Sequence, residues 1–274
     1  MADDEGQRWP VVFITGGGSG IGRQLATTLA ARGADVALFD LTVPVPVRDE
    51  VAAGGGRLSV HEVDVRDDQA LAVAVSAAVA EVGAPVLAVN SAGLSRNDRF
   101  ETATRDDFEF TLQVNLVGSR NFAAAVLPHM QDGSRLALIA SMAGITGGYT
   151  YAAYAASKAG VIGLAKVLRL EYAPRGIAVS VICPPEILTP MVERSSVGMH
   201  PATRALKDVA GTLTVDVACG EMLAQLARGR FTVIPGRAAR RTARLTRLLP
   251  ERVAQRAADR IVRRALREHP DAPR

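Results

Sequence analysis

The stretch Thr15-Gly-Gly-Gly-Ser-Gly-Ile-Gly22 narrows the fold more than any other part of the chain. It follows a short apolar run, Val11–Thr15, and opens a segment of helical period over 20–32. Gly16, Gly20 and Gly22 are spaced Gly-x-x-x-Gly-x-Gly. Without a Cβ, the chain can turn sharply and bring bare main chain against a ligand, and the free N–H groups at the helix start attract an anion. A strand–loop–helix of this kind marks a β-α-β unit that holds a pyrophosphate. Gly16, Gly18, Ser19, Gly20, Ile21 and Gly22 are its expected contacts.

The pattern continues along the chain. Strands are expected at 35–39, 58–63, 85–89, 135–140, 177–182 and 231–234, and helices at 67–82, 105–127, 152–172 and 215–227. Residues 41–56 read as a loop around a short helix. Buried strands alternating with helices predict an α/β fold, a doubly wound parallel sheet covered on both faces. Aromatic residues are only 4% of the chain, so Ala, Val, Leu and Ile must build the core. Cys183 and Cys219 are too few for a disulfide framework and lack metal-ligand spacing, which suggests a reducing, cytoplasmic setting and no metal site. The first residues are acidic, with no apolar leader behind them, and no apolar run is long enough to span a bilayer.

Asp40 closes the second strand. A carboxylate there can accept both ribose hydroxyls of an adenosine and repels a 2′-phosphate, and Leu41 supplies no compensating base; both facts favour NAD over NADP. Asp64 and Val65 follow the third strand, where Asp64 could bind an adenine amino group. Asn90, Ala92 and Gly93, in Asn90-Ser-Ala-Gly93, give small residues where main chain must approach a cofactor. Ser141 follows the fifth strand, and Tyr154 and Lys158 lie four apart on one face of the next helix. With 3 Lys against 29 Arg, a lysine retained at that spacing argues for a compact ammonium. Tyr149 and Tyr151 have Ala153 and Ala155 at the fourth position on, so neither makes such a pair.

From about Val11 to Ile234 the chain resembles the short-chain dehydrogenases/reductases of the conventional type, on the glycine loop and Tyr154-x-x-x-Lys158 together. The resemblance implies a Rossmann-type sheet and hydride exchange between a nicotinamide cofactor and a secondary alcohol or ketone. It makes Tyr154 the acid/base at the substrate oxygen. Lys158 would bind the nicotinamide ribose and lower the tyrosine pKa, Ser141 would hold the substrate oxygen, and Asn115 would anchor a proton relay. It also implies cofactor contacts from Pro184, Ile187 and Thr189. The family's second Asn after strand four is Ser91 here, and its Pro-Gly after strand six is Pro184-Pro185. The segments Pro184-Pro-Glu-Ile-Leu-Thr-Pro190 and Asp259-Arg-Ile-Val-Arg-Arg264 are similar to the 3-ketodihydrosphingosine reductase branch, which implies a long-chain lipid ketone and NADPH. Asp40 opposes the NADPH part. The substrate expected is therefore a bulky or lipid-like alcohol or ketone, with an NADPH-dependent 3-ketosphinganine-type reductase as the alternative. A non-catalytic dinucleotide-binding scaffold would not need the full set of Asn115, Ser141, Tyr154 and Lys158.

Ile145, Thr146, Tyr149, Glu186, Leu188 and Met191 are expected in the substrate pocket, under a mobile lid at 193–211. Residues 228–274 carry 14 Arg and four acids, a charge of +10 against −6 for the rest. Apolar positions recur at helical spacing there, and Pro250 divides two helices. A division follows: a dinucleotide-binding and catalytic domain, 1–236, and an arginine-rich helical extension, 237–274. Such a segment either packs on the body or a second subunit, or lies on anionic lipid as a peripheral membrane contact. A homo-oligomer, dimer or tetramer, is expected; an acidic body without aromatic interleaving is a poor nucleic-acid binder.

Overall fold

The computed structural model describes residues 9–270; the acidic N-terminal residues 1–8 and the last four lie outside them. Seven parallel strands form one sheet in the order β3-β2-β1-β4-β5-β6-β9. These are β1 Val11–Thr15, β2 Asp35–Asp40, β3 Leu58–Glu62, β4 Leu87–Asn90, β5 Arg135–Ile139, β6 Ala178–Ile182 and β9 Thr232–Val233. The intervening helices are α1 Gly20–Ala30, α2 Val45–Ala52, α3 Asp68–Val82, α4 Arg105–Leu112, α5 Gly118–Val126, α6 Ala143–Thr146 and α7 Ala152–Tyr172. After β6 come the short strands β7 Glu186–Ile187 and β8 Thr212–Leu213, with α8 Pro190–Ser196 and α9 Pro201–Ala210 between them. Helices α10 Val215–Ala227, α11 Arg237–Leu248 and α12 Glu251–Glu268 complete the chain.

Successive strand residues point to opposite faces, and the core divides accordingly. Phe13, Phe39, Leu136 and Leu138 pack with α3, α5 and α7, where Phe39 meets the Phe122 ring at 6.1 Å. Val12, Ile14, Leu38 and Ile139 pack with α1, α2 and α10. The chain reverses direction across the sheet between β1 and β4, which opens a crevice at the strands' carboxyl ends.

Two expectations are corrected here. The helix expected over 105–127 is continuous to Val126 but widens by one turn at Gln113–Val117. Asn115 sits in that turn, and its amide exchanges hydrogen bonds with the Leu94 main chain (Oδ1 accepting at 2.9 Å, Nδ2 donating at 3.0 Å). The region 193–211, read as an irregular lid, is largely helical: Thr189 caps α8, His200 caps α9, and each helix opens on a proline. At 7 and 10 residues, both fall short of the roughly 11–18 residues over which a helical period is counted.

Candidate active site

The glycine loop is held by main chain. The Gly16 N–H donates to the Phe39 carbonyl at 2.8 Å, and at φ +66° a Cβ would fall 2.7 Å from the Ala92 nitrogen. At Gly22 a Cβ would lie 2.1 Å from the Gly16 carbonyl oxygen, so only glycine closes the loop. Asp40 reaches the same loop: its carboxylate accepts from the Gly18 N–H at 2.8 Å and the Leu41 N–H at 2.7 Å. Ser19 leads into α1, Gly20 lies against the Thr189 methyl, and Ile21 reaches the cavity described below.

Three other expected cofactor residues turn their side chains elsewhere. Asp64 is paired with Arg66 (Nε to Oδ2 2.8 Å), whose hydrogen bond holds its carboxyl below the usual range. Val65 is buried against Gly118. The Asn90 amide accepts from Thr15 Oγ1 at 2.7 Å and donates to Ser119 Oγ at 2.9 Å. Thr15 Oγ1 in turn accepts from the Ser91 and Ala92 N–H groups, both at 3.1 Å. Asn90 thus fixes the β4 exit from beneath, and the main chain of Ala92 and Gly93 forms the surface above.

Ser141, Tyr154 and Lys158 meet at one end of a cavity of about 700 Å³. Tyr154 is in hydrogen-bonding reach of the Ser141 hydroxyl, and Ser141 Oγ accepts from the Ala143 N–H at 3.1 Å. The Lys158 ammonium donates to the Ile139 carbonyl at 2.8 Å and lies 5.8 Å from the Tyr154 ring centre. Asn115 Nδ2 donates to Ser157 Oγ at 3.0 Å, which ties the wide turn to α7 beside this pair. The titration of the pair departs from expectation. Burial pushes the Tyr154 phenol up to about 12, against the Ser141 hydrogen bond, and pushes Lys158 down to about 8. Desolvation outweighs any lowering of the tyrosine by Lys158. Cys183, buried nearby, is raised to about 12 by the same cause and offers no thiolate.

Ile145, Thr146 and Met191 line the cavity, with Pro184, Pro185, Ile187 and Thr189. Two pocket candidates do not. Leu188 is 53% exposed, and Tyr149 packs on the His200 ring at 4.6 Å. Glu186 lines the wall, but its carboxylate is spent in ion pairs with Arg204 (2.7 Å) and Lys207 and on the Thr212 hydroxyl (3.0 Å). Burial pulls that carboxyl up, the Lys207 and Arg204 hydrogen bonds pull it down, and the net result is a lowered pKa. Tyr151, set aside in the sequence for want of a partner lysine, is buried with its ring 5.4 Å from Tyr154. Thr150, at φ +63°, makes the strained turn that places both tyrosines.

The arginine-rich tail reaches this site, which no local pattern in its residues announces. Thr242, Leu245, Leu249, Ala254, Ala258 and Ile261 line the far end of the cavity, and most arginines of α11 and α12 face outward. Among the described residues no helix is long and apolar enough to cross a membrane, and no cluster of three or more His, Cys, Asp or Glu is arranged to hold a metal.

The family model for short chain dehydrogenases matches residues 10–199. The chain is 37% identical over 186 residues to the oxidoreductase UcpA of Escherichia coli (strain K12), covering 66% of this chain and 70% of that one. It is 32% identical over 230 residues to a 3-dehydrosphinganine reductase of Arabidopsis thaliana, covering 81% and 68%. The solved structure of a short chain dehydrogenase from Mycobacterium paratuberculosis bound to NAD matches with a TM-score of 0.74 at 23% identity, over 84% of this chain and 97% of that one, a likeness of fold. The chain belongs to the short chain dehydrogenase family. It is an oxidoreductase of the CH–OH class on a Rossmann-type sheet.

Proposed function

We propose that the protein is an NAD-dependent dehydrogenase/reductase for a bulky, apolar secondary alcohol or ketone. The observation that carries this is the meeting of Ser141, Tyr154 and Lys158 in an apolar cavity at the same sheet edge as the glycine loop. The loop fits a dinucleotide: Gly16 and Gly22 let it close on main chain where a Cβ would clash, which leaves bare backbone at the point where α1 begins. Asp40, turned to that loop, supports NAD rather than NADP. Bound there, the cofactor supplies or accepts a hydride and, when oxidised, brings a positive charge.

Tyr154 is protonated at neutral pH, so in the reductive direction its O–H donates to the substrate oxygen as charge develops on it. Ser141 donates a second hydrogen bond to that oxygen. Lys158 holds a cation beside the phenol and makes loss of its proton easier in the oxidative direction. Asn115 keeps the turn between Leu94 and Ser157 fixed behind them.

The apolar faces of α11 and α12 are turned to α9 and the cavity, which supports packing rather than a peripheral membrane contact for the tail. Val167 and Leu170 on α7 are 50% and 64% exposed in line with Ala159 and Gly163, a stripe suited to a second copy in a homo-oligomer. Both cysteines are free and buried, in keeping with a cytoplasmic setting. The test is a panel of secondary alcohols and ketones, followed by NADH and NADPH absorbance. Turnover with NAD(H) preferred is expected. Turnover with NADP(H) preferred would favour the 3-ketosphinganine-type alternative, and no turnover with either would overturn the reading.

A further inference from the structure

Resting on that reading, we propose that the C-terminal helix pair is the specificity element of the enzyme: the inner face of α11–α12 receives the alkyl chain of the substrate and sets the chain length that is turned over. The cavity runs without interruption from Ser141, Tyr154 and Lys158 to Ala254, Ala258 and Ile261 of α12. The cofactor-side residues Ile21, Gly93, Pro184, Ile187 and Thr189 line the same cavity of about 700 Å³, so the nicotinamide would fill that end and the part that reaches α12 is left to the substrate.

The far wall is apolar yet uncovered. Leu245 and Leu249 are 44% and 39% exposed, and Ala258 is exposed, although all three border the cavity. Exposed apolar surface that is continuous with a reaction centre calls for an apolar occupant. Ala254 and Ala258 present only methyl groups to this wall, so a larger residue at either would take up cavity space. The charged groups of this wall do not offer a carboxylate or phosphate partner. Lys207 is committed to Glu186, Glu251 at the outer rim carries the wrong sign for an anionic chain end, and the tail arginines are not among the lining residues. The chain that fits is a neutral hydrocarbon with its carbonyl near one end. The wall lies downstream of the residues that match the family model.

The experiment uses the full-length protein and the series from 2-butanol to 2-dodecanol, with the matching 2-alkanones. Wild-type kcat/KM is expected to rise about 3- to 4-fold per methylene, the value of one buried CH₂, until the far wall is reached. Ala258→Phe and, separately, Ala254→Leu should shorten that range and lower the ratio of kcat/KM for 2-dodecanol to that for 2-butanol by about 10-fold or more. Kd values for the 2-alkanones, by calorimetry with oxidised NAD present so that no hydride can be transferred, should show the same dependence and the same truncation. A flat wild-type series, an equal loss at every length in both variants, or a change in oligomer mass in place of a change in profile would overturn the proposal. Chain-length-dependent binding without turnover would instead overturn the proposed reaction and leave the specificity element standing.

Discussion

The two sides of the cleft are built in different ways. On the cofactor side main chain holds main chain: the Gly16 N–H on the Phe39 carbonyl at 2.8 Å, and the Ser91 N–H on the Thr15 carbonyl at 3.2 Å. On the substrate side, individual side chains hold whole segments. Glu186 grips Arg204 and Lys207 of α9, and Arg240 anchors α11 to Glu221 (2.5 Å) and to the Ile234 carbonyl (3.0 Å). Backbone-made geometry varies little with side-chain identity, so it suits a ligand that is always the same. Side-chain-made geometry changes with single substitutions, so it suits a ligand that must be chosen.

Breaking the chemistry at the junction should have the largest effect. Tyr154→Phe removes only a hydroxyl, and turnover should fall by ~10²–10⁴-fold with NADH affinity unchanged by titration. Activity within a factor of two of wild type would remove Tyr154 from the proton transfer.

Lys158→Met sharpens the contrast between function and stability. Burial lowers the Lys158 pKa from 10.5 to about 8, so the folded state binds fewer protons than the unfolded chain between those values. The destabilisation is therefore full below pH 8 and fades as pH rises towards 10.5. At pH 7 the variant should melt higher, by ~2–5 °C, while turnover falls by ~10²-fold or more. Calorimetry showing a lower Tm at pH 7 would contradict the cause assigned to the shift.

On the substrate side, Glu186→Gln should cost about 2–3 kcal/mol, less than the ~3–5 for a fully buried pair because Arg204 is 41% exposed. That corresponds to a Tm lower by ~5–10 °C at pH 7. Because the folded-state pKa of Glu186 is lowered, its contribution is present above the unfolded value of ~4.3 and is lost as pH falls through the folded value. The difference from wild type should shrink in the same window. NADH affinity should not move, and a variant that loses it would erase the separation of the two sides.

Smallest is the effect of Asp40→Ala. The preference for NAD over NADP should narrow by about 10-fold, roughly the removal of one like-charge contact, as read from the ratio of the two Kd values. An unchanged ratio would show that Asp40 does not face the ribose.

What could be read from sequence follows the same division. The glycine loop, Asp40 and the Tyr154–Lys158 spacing are local patterns, each carried by a single loop, strand end or helix face, and the structure brings them to one edge of the sheet. The wall made by Leu245, Ala258 and Ile261 joins Ile145 and Met191 across long stretches of chain, and no local period announces that meeting. Asn115 was legible as a residue, but its wide turn was not, since the apolar period runs through it. Tyr151 was passed over because a spacing test cannot see a ring that packs beside Tyr154. The Glu186 cluster was hidden for the same reason, because its cations come from α9 and not from its own strand.

Hydride transfer itself can be followed by isotope. The full-length protein would be given NAD and a 2-alkanol carrying deuterium on its carbinol carbon, and the recovered cofactor would be analysed by mass and NMR. Deuterium at nicotinamide C4 of the reduced cofactor, formed in step with the ketone and abolished in Tyr154→Phe, is the predicted result. Ketone formed with no deuterium in the cofactor, or label transferred at an undiminished rate by the phenylalanine variant, would contradict it.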